Sequence, residues 1–309
     1  MDVTQKRYRT LSQYYKEKFG DKVFKVSLNA NFTCPNVDGT AGKGGCTFCS
    51  PLGSGDFAGN VKDDLLDQFD NIKAMMHQKW PKAKYMAYFQ ANTNTYAPVS
   101  ELKEKFEKFI NYDPQIVAMS ISTRPDCLPD DVVEYLADIS KRIPLMVELG
   151  LQTIHEESAK HINRGHDFQT FIEGVDKLRK HKIETIVHIM NGLPGETQEM
   201  MLETAKAVSK LDVQGIKIHM LHVIKNTLMG YQYQKNPFPI LSMEEYIDTV
   251  IKQLEILPPE MVIHRLTGDA VRENLIAPQW TLKKWVTLNA IDKELLERNT
   301  YQGRLYTGE

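Results

Sequence analysis

The chain has 309 residues, of which 42% are hydrophobic and 25% are charged, and its formal net charge is −2. Charge this close to neutral excludes a protein that binds nucleic acid through its overall charge, although it allows a local basic patch. The composition excludes a disordered chain, and the length indicates two domains or one large α/β barrel-like unit.

The N-terminus is polar, and no apolar run approaches the roughly 20 residues of a membrane-spanning helix. We therefore expect no signal peptide, no membrane partner and a cytoplasmic location. In that reducing compartment, clustered cysteines are typical of metal sites or catalytic groups rather than of disulfides.

The first stretch, residues 1–21, is basic and interleaved with Tyr8, Tyr14, Tyr15 and Phe19. Positive charge beside aromatic surfaces suits a flexible nucleic acid. The same pattern is typical of an amphipathic helix that packs its aromatic side chains and leaves its lysines in solvent. The sequence leaves both interpretations open.

Short apolar runs alternate with longer amphipathic segments over residues 22–224, which predicts strand–helix units with a parallel sheet. The predicted strands are 22–28, 84–90, 115–122, 144–151, 183–190 and 215–222. The predicted helices between them are 63–79, 99–110, 129–140, 168–181 and 196–210.

The alternation of strand and helix patterns ends after residue 224. A loop with the sequence NTLMGYQYQKNPFPIL precedes a predicted helix near 243–256, an extended piece near 261–267 and a last helix near 280–297. We predict a six-unit core over 22–224 and an extension over 225–309 that closes the barrel and contacts the substrate.

Polar residues follow every predicted strand of the core. Parallel α/β folds place their chemistry at these carboxyl ends, where the loops converge. The segments are the cysteine loop, QANTNTY, STRPD, ELGLQT, NGLPGET and HMLH. We expect them to form one site.

The loop after the first strand, NANFTCPNVDGTAGKGGCTFCS, holds Cys34, Cys46 and Cys49. Structural zinc usually has four protein ligands, whereas three thiolates can hold three irons of a [4Fe–4S] cluster and leave the fourth open. The spacing favours the cluster but leaves zinc as an alternative. Cys127 is either a distant fourth ligand or, as we favour, a small buried hydrophobe.

The cysteine loop, with Phe48 directly before its last cysteine, resembles that of the radical S-adenosylmethionine (SAM) enzymes. Together with STRPD, ELGLQT, INRGH and NGLPGET, it resembles the YhcC/YtqA-like proteins, relatives of the Elongator catalytic subunit, from about residue 5 to 300. The resemblance implies an α/β fold: a partial (β/α)6 radical SAM barrel with a C-terminal α/β extension.

The same resemblance implies the cofactors and their contacts. Cys34, Cys46 and Cys49 would hold the [4Fe–4S] cluster and support catalysis, and SAM would bind the open iron and yield a 5′-deoxyadenosyl radical. Glu148 would bind the ribose, with a salt bridge that caps the sheet as the alternative. Arg164 would hold the SAM carboxylate, and Arg124 would either share this work or contact the substrate. The other predicted cofactor contacts are Phe48 and Gly192 at adenine, Thr123 and Gln152 at the sugar or carboxylate, and Gln90 and Asn191.

Polar residues on the fifth and sixth predicted strands are candidates for a substrate lining. They are His188, Lys217, His219 and His222. A single histidine on a strand is usually a satisfied core group, so a structural role is the alternative.

The Elongator resemblance implies tRNA as the substrate, although we expect this chain to lack the acetyltransferase domain of that relative. The YtqA-like group implies conversion of wobble 5-carboxymethylaminomethyl-(2-thio)uridine to 5-aminomethyl-(2-thio)uridine, with a reductant such as flavodoxin or ferredoxin. The basic N-terminus and the segment PQWTLKKWVTLNAID are candidate RNA surfaces. The alternatives are radical SAM chemistry on a small metabolite and a non-catalytic, zinc-stabilised RNA-binding module.

Overall fold

The computed structural model describes residues 6–53 and 55–308, so residues 1–5 of the predicted basic segment and residue 309 of the predicted extension lie outside the described residues. The strands are β1 (Val23–Leu28), β2 (Lys84–Phe89), β3 (Ile116–Thr123), β4 (Leu145–Gln152), β5 (Glu184–Asn191), β6 (Gly215–Met220), β7 (Val223–Ile224), β8 (Val262–Arg265) and β9 (Leu275–Ala277). The helices are α1 (Leu11–Phe19), α2 (Pro35–Asp38), α3 (Leu65–Lys79), α4 (Val99–Phe106), α5 (Asp130–Arg142), α6 (Glu156–His161), α7 (Phe168–Lys180), α8 (Gln198–Ser209), α9 (Leu228–Lys235), α10 (Met243–Ile256) and α11 (Lys284–Glu297).

Seven parallel strands form a curled half-barrel in the order β1-β2-β3-β4-β5-β6-β8. This arrangement confirms the predicted α/β fold, and each of β1 to β6 overlaps one of the six predicted strands. The seventh strand, β8, lies within the extended piece predicted near 261–267, and it joins the same sheet by pairing in parallel with β6. The small antiparallel pair of β7 and β9 lies outside this sheet.

The helices that follow the strands cover the outer face of the sheet with amphipathic surfaces. Where this layer packs on β2, four phenylalanines of the strand and the layer are fully buried, and the ring of Phe89 on β2 lies 4.7 Å from that of Phe106 and 5.5 Å from that of Phe109. Burying each such side chain contributes roughly 2–3 kcal/mol to the free energy of unfolding. This core holds the strand ends in fixed positions.

Alternate residues of each strand face the interior of the half-barrel, as the strand period of two requires. At the amino ends of the strands these residues are apolar: Val23, Met86, Ala118, Met146 and Ile186. Nearer the carboxyl ends they are mostly polar or charged: Lys25, Tyr88, Ser122, Glu148, His188 and Lys217. The interior is therefore divided into an apolar floor and a polar cavity.

Helix α1 closes the apolar floor. Tyr15 is buried there, and Leu11, Tyr14 and Phe19 pack against the same cluster. Lys18 pairs with Glu184 of β5. Of the two interpretations of the basic N-terminal segment, packing therefore describes residues 11–19, whose aromatic side chains support the barrel from below.

The predicted loop after residue 224 contains a helix, α9, whose first turn is capped by the Thr227 side chain accepting from the Gly230 N–H. Helix α10 packs on α8, and α11 packs on α10, so the extension adds to the outer helical layer. Within the described residues, no helix combines the length and the apolar character that crossing a membrane requires.

Candidate active site

A cavity of about 1350 Å³ lies at the carboxyl ends of the sheet strands, where the loops converge. Asn191 and Gly192 do not line this cavity. The other predicted site residues all line it: Cys34, Cys46, Phe48, Cys49, Gln90, Thr123, Arg124, Glu148, Gln152, Arg164, His188, Lys217, His219 and His222.

Asn191 faces the helical layer because His188 and Met190 face the cavity on β5. Its side-chain amide exchanges hydrogen bonds with that of Gln253 on α10, at 2.8 and 2.9 Å. A Cβ built on Gly192 would lie 3.2 Å from the Leu241 side chain. A cofactor contact by Asn191 would therefore have to use its backbone.

The cysteine loop is shaped by local backbone requirements. Cys34 precedes the short helix α2, and Pro35 occupies its first turn, where the missing N–H is tolerated. Gly44 and Gly45 have φ values of 80° and 75°, which favour glycine. These turns bring Cys46 and Cys49 back to the cavity wall that Cys34 lines.

Neighbouring segments hold the cysteine loop in place. The amide of Asn163, in the loop after α6, donates to the carbonyls of Lys43 and Gly45 at 3.1 and 2.7 Å. The Thr47 N–H donates to Ile162, and the Thr47 carbonyl accepts from the N–H of Met229 on α9. The loop is thus tied to two other parts of the chain.

The environment of Cys46 favours the thiolate. A hydrogen bond with Cys49 is the largest cause that lowers the pKa of Cys46 to about 7, with Arg124 also lowering it. The Asn36 side chain donates to the Cys46 sulfur at 3.6 Å. Among the described residues, no three metal-binding side chains surround one ion position. Ligation by the three cysteines therefore stays a prediction.

Cys127 does not line the cavity and is buried in a short turn after β3. Burial is the main cause that raises its pKa to about 12. A neutral, buried thiol is the state we expect of a small hydrophobe rather than of a ligand.

Arg164 offers a donor to the cavity. Its side chain is 1% exposed, and it donates to the carbonyls of Leu151 and His166 at 2.7 and 2.8 Å. Its Nη2 atom is buried without a hydrogen-bond partner, and the Glu156 carboxylate is 3.8 Å away. An unmatched guanidinium N–H beside the cysteines fits the carboxylate of SAM.

Arg124 is more fully engaged than Arg164. Two of its nitrogens donate to the Asp126 carboxylate at 2.9 and 2.7 Å, and the third donates to the Arg164 carbonyl at 2.8 Å. Its predicted grip on a ligand carboxylate would compete with Asp126. In this position Arg124 supports the segment that carries Arg164.

The remaining predicted cofactor residues lie along the same wall. Gln152 has a φ of 61°, and a Cβ built on Gly150 would lie 2.7 Å from its amide nitrogen. The Thr123 hydroxyl is hydrogen-bonded to that of Thr95. Phe48 packs against a cluster that includes Leu193 of NGLPGET, which fits the predicted adenine position.

Glu148 lies at the bottom of the cavity and is fully buried. Its carboxylate pairs with Lys25 and Lys217 and accepts from His188 at 2.8 Å. It also accepts hydrogen bonds from three hydroxyl groups, those of Tyr88, Ser120 and Ser122, at 2.9, 3.0 and 3.2 Å. The predicted ribose hydroxyls would have to compete with these protein partners.

Burial alone would raise the pKa of Glu148, but Lys217, Lys25 and His188 hold it well below its usual range. Burial lowers the pKa of Lys217 to about 7, although the carboxylate opposes this effect. Burial also lowers the pKa of His188 to about 4, so this ring is neutral. The buried Glu148 carboxylate is thus kept charged by the basic groups around it.

Histidines line the side of the cavity formed by β6, β8 and the loops that follow them. His219 and His222 were predicted, whereas His264 was not, and each has a buried ring nitrogen without a hydrogen-bond partner. Burial keeps the pKa of all three below the usual value.

Sequence reasoning missed Lys25, Tyr88, His264 and Arg265. Lys25 lies in the first predicted strand, 22–28, and was given no role there. A signal existed, because alternation in KVFKVSL places Lys25 and Ser27 on one face, and a charged residue on the inner face of a buried strand indicates a site.

The fold and the cavity define an α/β half-barrel whose site lies at the carboxyl ends of its strands. The family profile described as "Radical SAM superfamily" matches residues 39–208, and the "Radical_SAM C-terminal domain" profile matches residues 213–297. The chain belongs to the radical SAM superfamily, as predicted. Membership indicates an enzyme and implies a [4Fe–4S] cluster and SAM.

The chain is also similar to individual proteins. YtqA of Bacillus subtilis is 58% identical over 303 residues, which cover 98% of this chain and 94% of that protein. The tRNA uridine(34) acetyltransferase of Methanocaldococcus infernus is 27% identical over 156 residues, 50% of this chain and 29% of that protein. The structure of N-terminally deleted Elp3 from M. infernus has a TM-score of 0.68 at 18% identity, over 91% of this chain and 64% of that chain, which shows a shared fold.

Proposed function

We propose that this protein is a radical SAM enzyme that converts wobble 5-carboxymethylaminomethyl-(2-thio)uridine in tRNA to 5-aminomethyl-(2-thio)uridine. The observation that carries the proposal is the cavity itself, which has the cysteine loop on one side and a basic, histidine-rich wall on the other. A substrate whose side chain ends in a carboxylate suits such a cavity. Similarity to a tRNA uridine(34) acetyltransferase supports tRNA as the partner.

We propose Cys34, Cys46 and Cys49 as the ligands of three irons. When bound, the cluster and SAM would supply a radical that takes a hydrogen atom from the methylene beside the substrate carboxylate, with an electron from a reductant such as flavodoxin or ferredoxin. Return of one electron from that carbon to the cluster, and hydrolysis of the C=N bond so formed, would release the aminomethyl group and a two-carbon oxoacid. The unmatched Nη2 of Arg164 would donate to the SAM carboxylate, and Phe48 would cover the adenine.

Gln90, Thr123 and Gln152 would hold the sugar and the amino acid part of SAM from the same wall. Glu148 is paired with Lys25 and Lys217, and its contact with Lys217 orients that side chain into the cavity. A SAM ribose would be an additional partner of this carboxylate. We assign the substrate side to Lys217, His188, His219 and His222.

The tRNA surface that we propose lies at the start of α11. Lys284 pairs with Asp269, which lines the cavity, at 2.9 Å. Trp285 beside it is 73% exposed, and Lys283 is exposed as well. An aromatic ring and a free lysine at the cavity rim suit a single-stranded loop with an unstacked base. Trp280, by contrast, is packed against Tyr246.

The test is mass spectrometry of wobble nucleosides after anaerobic incubation of the iron-loaded protein with SAM, reductant and tRNA that bears the carboxymethylaminomethyl group. We expect aminomethyl nucleoside and 5′-deoxyadenosine from the unmodified chain. Cys46→Ala should abolish both products, whereas Cys127→Ala, a cysteine away from the cavity, should retain them.

Two outcomes would overturn the proposal. An unchanged nucleoside profile with continued SAM cleavage would remove the wobble substrate and favour a small metabolite. Zinc without iron or sulfide in anaerobically purified protein would favour the zinc-stabilised RNA-binding module instead.

A further inference from the structure

The side of the cavity opposite the cysteine loop has unmatched polar atoms. We define the basic wall as Lys217, His219, His222, His264 and Arg265, all of which line the cavity. The unpartnered atoms are Nε2 of His219, Nε2 of His222 and Nδ1 of His264. Buried polar atoms without a partner are unfavourable, and three of them on one wall indicate a missing ligand.

Glycines make room for two of these rings. A Cβ on Gly215 would lie 2.6 Å from the ring of His264, and a Cβ on Gly268 would lie 2.5 Å from the ring of His222. Neither glycine has a positive φ, so close approach rather than backbone conformation requires it. The rings therefore occupy places that the backbone leaves open for them.

Basic residues outnumber acidic ones along the cavity. Among the described lining residues, five are basic, namely Lys25, Arg124, Arg164, Lys217 and Arg265, and three are acidic, namely Asp56, Glu148 and Asp269. Two of the basic groups already have an acidic partner, since Arg124 pairs with Asp126 at 2.7 Å and Arg265 with Asp269 at 3.2 Å. At the bottom, Lys25 and Lys217 share the single carboxylate of Glu148. An oxyanion at the basic wall would give these lysines and the unmatched histidine nitrogens a further acceptor.

We propose that the basic wall binds a carboxylate carried by the substrate, which within the proposed function is that of the carboxymethylaminomethyl group. A phosphate of the RNA backbone offers similar oxygens. However, the unmatched nitrogens are buried, and a phosphate is attached to a nucleoside on each side. A small carboxylate at the end of a flexible side chain fits a buried wall better. This inference rests on the proposed function for the identity of the substrate only.

The first test compares three anticodon stem-loop RNAs that differ only at the wobble base: carboxymethylaminomethyluridine, its carboxamide and aminomethyluridine. Fluorescence anisotropy with the iron-loaded, SAM-bound protein should give at least about tenfold tighter binding of the carboxylate RNA than of the carboxamide RNA. In the variant His264→Gln/Arg265→Gln this preference should fall to about twofold or less.

Lys283→Gln is the matched control, because it removes a positive charge from the exposed surface outside the basic wall. It should weaken binding of all three RNAs equally and leave the preference unchanged. An unchanged preference in the His264→Gln/Arg265→Gln variant would overturn the inference. Conversion of the carboxymethylaminomethyl RNA by the unmodified chain would then leave the proposed function standing.

The second test does not need RNA. N-methylglycine, methylamine and inorganic phosphate are titrated separately into the SAM-bound protein while the histidine ring signals are followed by NMR. We expect N-methylglycine to shift the signals of His219, His222 and His264, and methylamine to leave them unchanged. If the protein shows these shifts but binds none of the RNAs, the result would support carboxylate binding at the basic wall and contradict the proposal that tRNA is the substrate. Tighter binding of phosphate than of N-methylglycine would overturn the inference that the basic wall binds a carboxylate.

Discussion

At the scale of single residues, the interior of this half-barrel combines one ionised carboxylate with several neutral imidazoles. Glu148 stays charged because Lys25 and Lys217 contact it. His222 is more isolated: burial lowers its pKa to about 4, Arg265 adds to this effect, and Asp269 opposes it. A histidine that remains neutral in the folded chain but gains a proton on unfolding makes stability depend on pH.

We predict that His222 contributes to loss of stability in acid. Its pKa is about 4 in the folded chain and 6.5 as the ordinary value, so between these values the unfolded chain binds more protons. The free energy of unfolding should therefore fall as the pH is lowered from 6.5 to about 4. His222→Gln should reduce the slope near pH 5 by about one proton, or ~1.4 kcal/mol per pH unit, in urea titrations.

The matched control for this prediction is His181→Gln, since His181 is exposed at the end of α7. It should keep the slope of the unmodified chain. If His222→Gln also keeps that slope, the buried, neutral state assigned to His222 is wrong.

At the scale of elements, α1 determines how the interior is closed. Its capping box at Thr10 and Gln13 and its left-handed Gly20 fix both ends of the helix. The face between them buries Tyr15, whose hydroxyl lies 3.5 Å from the Met86 sulfur. The floor of the cavity is therefore built from a helix that precedes the first strand.

We predict that Tyr15→Ala lowers the free energy of unfolding by about 3–4 kcal/mol, because it leaves a cavity among the apolar floor residues. Tyr231→Ala is the control, since Tyr231 is 60% exposed, and it should change stability by less than about 0.5 kcal/mol. Urea unfolding followed by circular dichroism measures both. Equal losses in the two variants would contradict the role assigned to α1.

The elements were predictable where their pattern is local. All six strands of the predicted core exist, because each is an apolar run that alternates with an amphipathic helix. Strand β8 has only four residues and ends in His264 and Arg265, so it does not read as a buried strand. Helix α9 was read as a loop because its composition suggests one, whereas the cap at Thr227 starts a helix.

The candidate site follows the same rule. The three cysteines could be proposed as ligands because their spacing is a local signal. The partners of Glu148 come from β1, β2, β3, β5 and β6, and no sequence spacing reveals that side chains from five strands converge. For the same reason, Asn191 was assigned to the cofactor although the register of β5 turns its side chain outward.

At the scale of the whole molecule, the cysteine loop connects parts of the chain that are distant in sequence. Thr47 is hydrogen-bonded through its backbone to Ile162, after α6, and to Met229 at the start of α9. The position of the cysteine loop is thus coupled to that of α9 at the rim of the cavity. A cluster bound to the three cysteines should therefore also stabilise that rim.

We predict that removal of iron by a chelator increases hydrogen exchange in residues 40–50 and in α9, while the amides of β3 and β4 keep their protection. The reason is that the cysteine loop loses the cluster that holds it in place, whereas the packing of the apolar core is unchanged. Mass spectrometry of exchanged peptides measures the effect. Cys46→Ala should show the raised exchange without a chelator, and a uniform change over the whole chain would contradict the prediction.

The half-barrel leaves β8 at one border of the sheet, and a bare strand border can recruit a strand from another molecule. Here the Ile263 N–H donates to the Arg9 carbonyl at 2.9 Å, and Thr10 forms a parallel bridge with Ile263. The Arg9 N–H in turn donates to the Gln302 side chain at 2.9 Å. Arg9 and Thr10 therefore cover part of the backbone of β8, so this border of the incomplete barrel offers fewer free hydrogen-bonding groups to another molecule.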